Sequence, residues 1–228
     1  MKCLKNLIDF IIESLKKNAV CMFTESIELG LLTDCLNMLA KRKLALSPSD
    51  FLGEPNSLTP RNWLSYGHPS YDLPLHTDYP DYAIPPRFVL LKCHSVGSIP
   101  VETVFYDVGV TALSHHRCEV LLNEPWLTTG GVEKSRVVRL LEIDFVSEAP
   151  RLRYATNVMR PFFRASSSGQ EVLSSIVNRI EPVGIVLTPG ETVIWDNWRV
   201  LHGRRTAEVV PQKWSVGTER VLERLKWT

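Results

Sequence analysis

The stretch LPLHTDYPDY, residues 73–82, carries a histidine and an aspartate two positions apart, His76 and Asp78. At the end of an extended strand, residues i and i+2 point the same way, so both side chains can aim at one metal ion. A histidine and a carboxylate that merely fall near each other in a turn would read the same. A metal site needs a third ligand, and there are six histidines to supply it: His68, His76, His94, His115, His116 and His202. His202 lies in ETVIWDNWRVLHGRR, where an apolar strand-like run leads into a basic, turn-like stretch. Two histidines and one carboxylate, two of them close together and the third distant, can occupy one face of an octahedron. The opposite face then stays open for a co-substrate and O2, a donor set that suits Fe(II). The plainer role for His202 is a strand-end histidine bonded to neighbouring carbonyls.

These residues need a scaffold that brings position 202 to positions 76–78. The first fifty residues read as helical support: Leu4, Leu7, Ile8, Ile11, Ile12 and Leu15 form a stripe at helical spacing. A short strand is expected at 19–23, then a second helix capped by Thr24 or Ser26, with Ile27, Leu31, Leu32, Cys35, Leu36 and Leu39 on one face. A Pro-, Ser- and Gly-containing loop covers about 47–61. From residue 62 to 222 short β-branched and aromatic runs recur between turn signals: WLSY, RFVLLKCH, ETVFYDV, RVVRLLEI, RLRYA, GIVLTPG, ETVIWDN and KWSVGTERV. One late helix is expected at 170–180, and Pro189-Gly190 marks a tight turn. The pattern predicts a mainly β, α+β protein, a sandwich or barrel with helical support. With no repeat, low-complexity tract or linker, one domain over 1–228 is the economical division.

Bulk composition narrows the function. The 228 residues carry 44% hydrophobic and 22% charged side chains, ordinary for a soluble protein. Lys plus Arg at 26 against Asp plus Glu at 25 leaves no basic stripe for nucleic acid. No run approaches the roughly 18 apolar residues of a membrane span. The N-terminal apolar stretch is broken by Asp9, Glu13 and Ser14, as in an amphipathic helix rather than a signal peptide. Five cysteines without CxxC spacing fit a reducing cytoplasm better than a disulfide framework or structural zinc.

LPLHTDYPDYAIPPRFVLLKC and IWDNWRVLHGRR together resemble the two metal-binding stretches of the Fe(II)/2-oxoglutarate-dependent dioxygenases, in the taurine dioxygenase and γ-butyrobetaine hydroxylase branch. The resemblance runs from about residue 19 to 221 and is strong only around these motifs. It implies a double-stranded β-helix (jelly-roll, cupin-like) core and Fe(II) held by His76, Asp78 and His202. It also implies 2-oxoglutarate and O2 as co-substrates, with release of succinate and CO2. The expected reaction is hydroxylation of an unactivated C–H, or its desaturation or cyclisation. Asp78 weighs against halogenation, because related halogenases replace this carboxylate with a small residue.

The far carboxylate of 2-oxoglutarate calls for a hydroxyl and a cation. Thr103, in PVETVFYD, matches the family's hydroxyl and also suits an ordinary strand residue. Where the family places an arginine this chain has Lys213, a point charge without the planar fork. Ser215 can add a hydroxyl, and Arg204 and Arg220 are further candidate anchors; Arg220 has the opposite strand parity from Lys213. Tyr66, Asn157 and Arg160 fall where relatives face substrate, and Arg160 equally suits a surface position. The short chain favours a small-molecule substrate, such as an amino acid or natural-product intermediate. Oligomeric state is not legible. A 2-oxoglutarate-independent cupin-type metalloenzyme and a non-catalytic binding protein on the same scaffold are the competing readings. Trp195 and Trp198 are expected to pack the strand, and Asn197 to bond the turn near His202.

Overall fold

The apolar stripe near the N-terminus folds as a helix laid on a sheet. The computed structural model describes residues 2–41, 72–96, 101–129, 135–144, 148–163, 168–206 and 221–227. In it α1 (Lys2–Asn18) buries Ile8, Ile11 and Leu15, and β1 (Val20–Phe23) and α2 (Leu29–Lys41) follow. Irregular chain occupies 24–28, so neither Thr24 nor Ser26 stands at the N-cap of α2. Beyond it come β2 (Leu73–His76), β3 (Phe88–Ser95) and β4 (Val101–Asp107), then two short helices, α3 (Val108–Ser114) and α4 (Cys118–Asn123). Next are β5 (Pro125–Thr128), β6 (Val137–Arg139), β7 (Leu141–Ile143), β8 (Pro150–Leu152) and β9 (Met159–Pro161). The described chain ends with α5 (Ser168–Val177), β10 (Val183–Ile185), β11 (Thr192–Asp196), β12 (Val200–Thr206) and β13 (Val221–Trp227).

Mainly β with helical support is what the structure shows. Among the described residues the strands form four open antiparallel sheets, ordered β1-β11-β3-β13, β10-β4-β12-β2, β6-β5-β9 and β7-β8. The single late helix was too few: α3 and α4 are too short for a 3.6-residue period to register. The last strand runs to Trp227, past the expected end of the β core at 222. WLSY and the run 213–220 lie outside the described residues. Pro189-Gly190 does form a turn; Gly190 has φ of 91°, and Glu191 N–H donates to Thr188 O at 3.0 Å.

Period-two alternation sorts the layers. In β1, β3 and β11, Cys21, Phe23, Leu90 and Ile194 face α1 and α2. Their neighbours Val20, Val89, Leu91, Cys93, Val193 and Trp195 face the other way, onto Phe105, Ile185 and Val200 of the second sheet. Leu201 instead joins a third cluster with Leu121 of α4 and Val172, Leu173 and Ile176 of α5. The order is therefore helices, sheet, sheet, helices. Leu222 of β13 packs on the core between the two large sheets, and Arg224 and Lys226 stand opposite Leu91 and Val89, which belong to that core. Strand parity thus turns two cations into the space between the sheets.

Candidate metal centre

His76 and His202 stand directly opposite in the β2–β12 ladder, with ring centroids 4.3 Å apart. Directly paired residues share a face, so both imidazoles project into the space between the sheets. The chain leaves β2 after His76: Thr77 N–H donates to Tyr154 O at 2.7 Å, and Tyr154 N–H donates to Thr77 Oγ1 at 3.1 Å. Asp78 follows. Its Oδ2 lies 3.6 Å from His202 Nε2, and its Oδ1 lies 3.9 Å from His76 Nε2. All three candidate ligand atoms fall within 4.8 Å of one another, the one such group among the described residues.

The donor atoms are prepared for an ion. His76 Nδ1 sits 2.9 Å from Pro74 O; a carbonyl only accepts, so Nδ1 carries the proton and Nε2 keeps its lone pair. Asp78 Oδ2 and His202 Nε2 are buried without a hydrogen-bond partner. Orphaned polar atoms at such depth are costly unless a ligand satisfies them. Burial, followed by the neighbouring His76, pushes the His202 imidazole down to about 3, so it is neutral and able to ligate at ordinary pH. Burial lowers His76 likewise. Burial alone would raise the Asp78 carboxyl; its electrostatic surroundings, with the Arg224 guanidinium foremost, outweigh it and hold the group below its usual range. Two neutral imidazoles and one carboxylate fit a divalent ion with open positions.

Arg224 and Lys226 are the residues the sequence did not disclose. Arg224 Nη1 donates to Asp78 Oδ1 at 3.0 Å. Lys226 Nζ lies 3.3 Å from Tyr82 Oη, 4.1 Å from the Tyr79 ring centroid and 4.8 Å from that of Tyr82. In VLERLKW the polar set Arg224 and Lys226 reads as the solvent face of a strand. The feature that could have flagged them is that Leu222 shares their parity.

The loop after Asp78 is fixed from several sides. Asn197 Oδ1 accepts from Asp78 N–H at 2.7 Å, while its Nδ2 donates to Asp78 O at 3.0 Å and Pro86 O at 2.9 Å. The amide expected near His202 therefore holds the other ligand. Arg153, 2% exposed, donates to Pro80 O at 3.0 Å, Tyr82 O at 2.5 Å and Ala83 O at 2.8 Å. Trp198 is buried and donates from Nε1 to Pro85 O at 2.9 Å. Trp195, also buried, lies 4.9 Å ring to ring from His202. Both tryptophans pack as expected.

Thr103 and Arg204 are directly paired in the β4–β12 ladder, on the same face as the Phe105–His202 pair. Thr103 is buried and Arg204 half-buried, and burial lowers the Arg204 guanidinium against the pull of Asp72. Asn157 and Arg160 are exposed; Arg160 lies in β9 opposite Leu127, outside the sheet that carries the histidines. Tyr66, Lys213, Ser215 and Arg220 lie outside the described residues.

No family model matches this sequence, and no curated protein matches it. Solved structures do match the fold. An asparagine oxygenase in complex with Fe(II), 2S,3S-3-hydroxyasparagine and succinate is 23% identical over 69% of this chain and 50% of its own, with a TM-score of 0.53. This chain thus spans half the length of that protein. A taurine dioxygenase from Burkholderia xenovorans is 14% identical over 97% of this chain and 80% of its own, with a TM-score of 0.64. PvcB, an Fe, α-ketoglutarate-dependent oxygenase from an isonitrile synthetic pathway, is 14% identical over 96% of this chain and 79% of its own, with a TM-score of 0.57. The chain shares the fold of these enzymes.

Proposed function

We propose that this chain is a non-haem Fe(II)/2-oxoglutarate-dependent oxygenase that hydroxylates an unactivated C–H of a small molecule. The observation that carries this is the convergence of Asp78 Oδ2 and His202 Nε2, both buried without partners, beside His76 Nε2. The shared fold with iron and α-ketoglutarate-dependent oxygenases supports it. Fe(II) with 2-oxoglutarate, when bound, supplies the O2-activating chemistry and yields succinate and CO2.

The chain's own residues supply placement. His76, Asp78 and His202 hold the ion on one face, and the Pro74 carbonyl keeps the His76 ring in one tautomer. Thr103 and Arg204, paired across β4 and β12, are the described hydroxyl and cation for the far carboxylate of 2-oxoglutarate. Lys213 stays as the candidate anchor at the family's arginine position, with Ser215 two residues on and Arg220 as further candidates. Arg224 adds a guanidinium beside Asp78, a cation that could also pair with an anionic ligand. The apolar core between the sheets limits water around the reacting centre.

An amino acid or natural-product intermediate is the substrate class, by analogy with the asparagine oxygenase and the isonitrile-pathway enzyme. Desaturation or ring closure would use the same site. Tyr66, Asn157 and Arg160 keep their substrate roles as proposals. The two four-stranded sheets are read as the halves of a jelly roll within one domain, and five cysteines without CxxC spacing favour a cytoplasmic setting. No helix among the described residues is long and apolar enough to cross a membrane.

Anaerobic titration of the apo-protein with Fe(II) and 2-oxoglutarate tests the proposal. A visible charge-transfer band in the wild type, lost in Asp78→Ala, is expected, with substrate-dependent succinate release to follow. No band at saturating iron and 2-oxoglutarate would sink the assignment. Iron binding without 2-oxoglutarate turnover would favour the cupin-type metalloenzyme, and no metal binding the non-catalytic scaffold.

A further inference from the structure

We propose that Asn197 is a positioning residue for the metal centre, its carboxamide acting as a strand partner that sets Asp78 against His202 before any ion arrives. This role rests on the metal-centre reading above.

The argument starts from an accounting of backbone groups. Asp78 has left the β2 ladder, and buried N–H and C=O groups need partners. In an antiparallel sheet a single facing residue would satisfy both. Here one side chain does. Asn197 offers an acceptor and a donor side by side, which take the Asp78 N–H at 2.7 Å and the Asp78 carbonyl at 3.0 Å. Both backbone groups of Asp78 are thereby paired.

The remaining Nδ2 hydrogen goes to Pro86 O at 2.9 Å, and Asn197 N–H donates to Arg87 O at 2.6 Å. Asn197 is 0% exposed. Reversing its amide would set an oxygen against two carbonyls, so the partners dictate the orientation. Aspartate has no amide hydrogens, glutamine is one methylene longer, and serine has one oxygen for both tasks.

The clamp has a geometric consequence. Asn197 lies in the turn between β11 and β12, five residues before His202 in the sequence. Asp78 is 119 residues away along the chain. By holding the Asp78 backbone, the turn ties one ligand to the hairpin that carries another. The spacing of Asp78 and His202 is then set within one short hairpin rather than by the packing of whole sheets. Immediately after the clamped residue the chain reverses at Tyr79, whose φ of 53° is an outlier for a bulky side chain. Strain of this kind persists where its surroundings impose it.

A Co(II) titration of the metal-free protein, followed by ligand-field absorption, tests this in a double-mutant cycle of Asn197→Ala and Asp78→Ala. In the wild-type background Asn197→Ala should weaken Co(II) binding roughly 10- to 100-fold and alter the absorption envelope. In the Asp78→Ala background, where two histidines form a weaker site, the same substitution should change affinity less than about twofold, because its target is gone. Circular dichroism and thermal melting establish that each variant folds. If Asn197→Ala does not, Asn197→Asp replaces it throughout, keeping size and the acceptor for Asp78 N–H. Unchanged Co(II) affinity in the first background, or equal losses in both, overturns the role. A wild type that takes up no Co(II) overturns the metal centre itself and this role with it.

Discussion

Asp78 divides its carboxylate between two partners: Oδ1 accepts from Arg224 Nη1 at 3.0 Å, and Oδ2 faces His202 Nε2 at 3.6 Å. One oxygen is tethered and the other is left for an ion. Arg224 is also foremost among the charges that hold the Asp78 carboxyl low. Replacing Arg224 with Gln removes that influence, so burial raises the carboxyl and a proton competes with metal at higher pH. Co(II) affinity measured from pH 5 to 8 should decline at a higher pH in Arg224→Gln than in the wild type. Identical pH profiles would show that the guanidinium does not tune this ligand.

Gly203 lies between His202 and Arg204 because β2 comes too close for a side chain. A Cβ there would sit 2.7 Å from Leu73 O and 3.1 Å from Leu75 Cδ2. A backbone carbonyl cannot swing aside, so Gly203→Ala must push β2 from β12 and part His76 from His202. Overpacking costs about 1–3 kcal/mol. Chemical denaturation should register that loss, and Co(II) titration at least tenfold weaker binding. Gly184→Ala is the comparison, since its closest clash is with the movable Glu102 carboxylate, at the far side of the sheet order from β2.

The buried imidazole of His202 makes the metal-free protein acid-sensitive. Its value falls from 6.5 to about 3 on folding, so between those limits the unfolded chain binds the proton more readily. Stability is therefore full above about pH 6.5 and is lost as pH falls towards 3. His76 acts in the same direction. Urea unfolding of apo-protein from pH 7.5 to 4 should show this decline, and His202→Gln should flatten it. An equally steep decline in the variant would assign the effect to other groups.

Arg153 fixes the loop beyond Asp78 through three carbonyls and also bonds Glu142 Oε2 at 3.2 Å. Arg153→Met fills much of the space and supplies none of the donors. Buried acceptors left unpaired cost about 1–3 kcal/mol each before the loop relaxes. A total loss of roughly 3 kcal/mol is expected in equilibrium unfolding. A loss below about 1 kcal/mol would mean that water replaces the guanidinium.

Thr103 and Arg204 separate co-substrate anchoring from metal binding. If they hold the far carboxylate of 2-oxoglutarate, Thr103→Val and Arg204→Met should each raise its apparent dissociation constant about tenfold, as expected for one lost charge-assisted bond. Fe(II) affinity without 2-oxoglutarate should stay within about twofold of wild type. An unchanged constant for Arg204→Met would shift the cation role to the candidates at 213 and 220.

Much of the site was legible because its chemistry is local in the chain. His76 and Asp78 are two residues apart, whereas the basic stretch after His202, expected as a turn, continues as strand β12 because its backbone pairs with β4 and β2. The apolar, β-branched and aromatic runs in RFVLLKCH and ETVIWDN likewise located β3 and β11, since each buries both faces among apolar neighbours. α3 and α4 escaped because seven and six residues hold too little of a helical period.

The sequence by itself nominated three residues that could hold an ion, through their types and through the resemblance of the stretches around them to a family's metal-binding motifs. Only tertiary structure decided what surrounds them. Alternation marks two faces of β13 but not which is interior. Here the space between the sheets receives the charged pair Arg224 and Lys226, so the usual equation of polar with outward fails. Asn197 meets Asp78 across 119 residues, a pairing that no local pattern encodes and that arises when the β11–β12 turn is brought against the chain leaving β2. Ligand identity is a property of residue types; ligand geometry belongs to the long-range contacts that fix them.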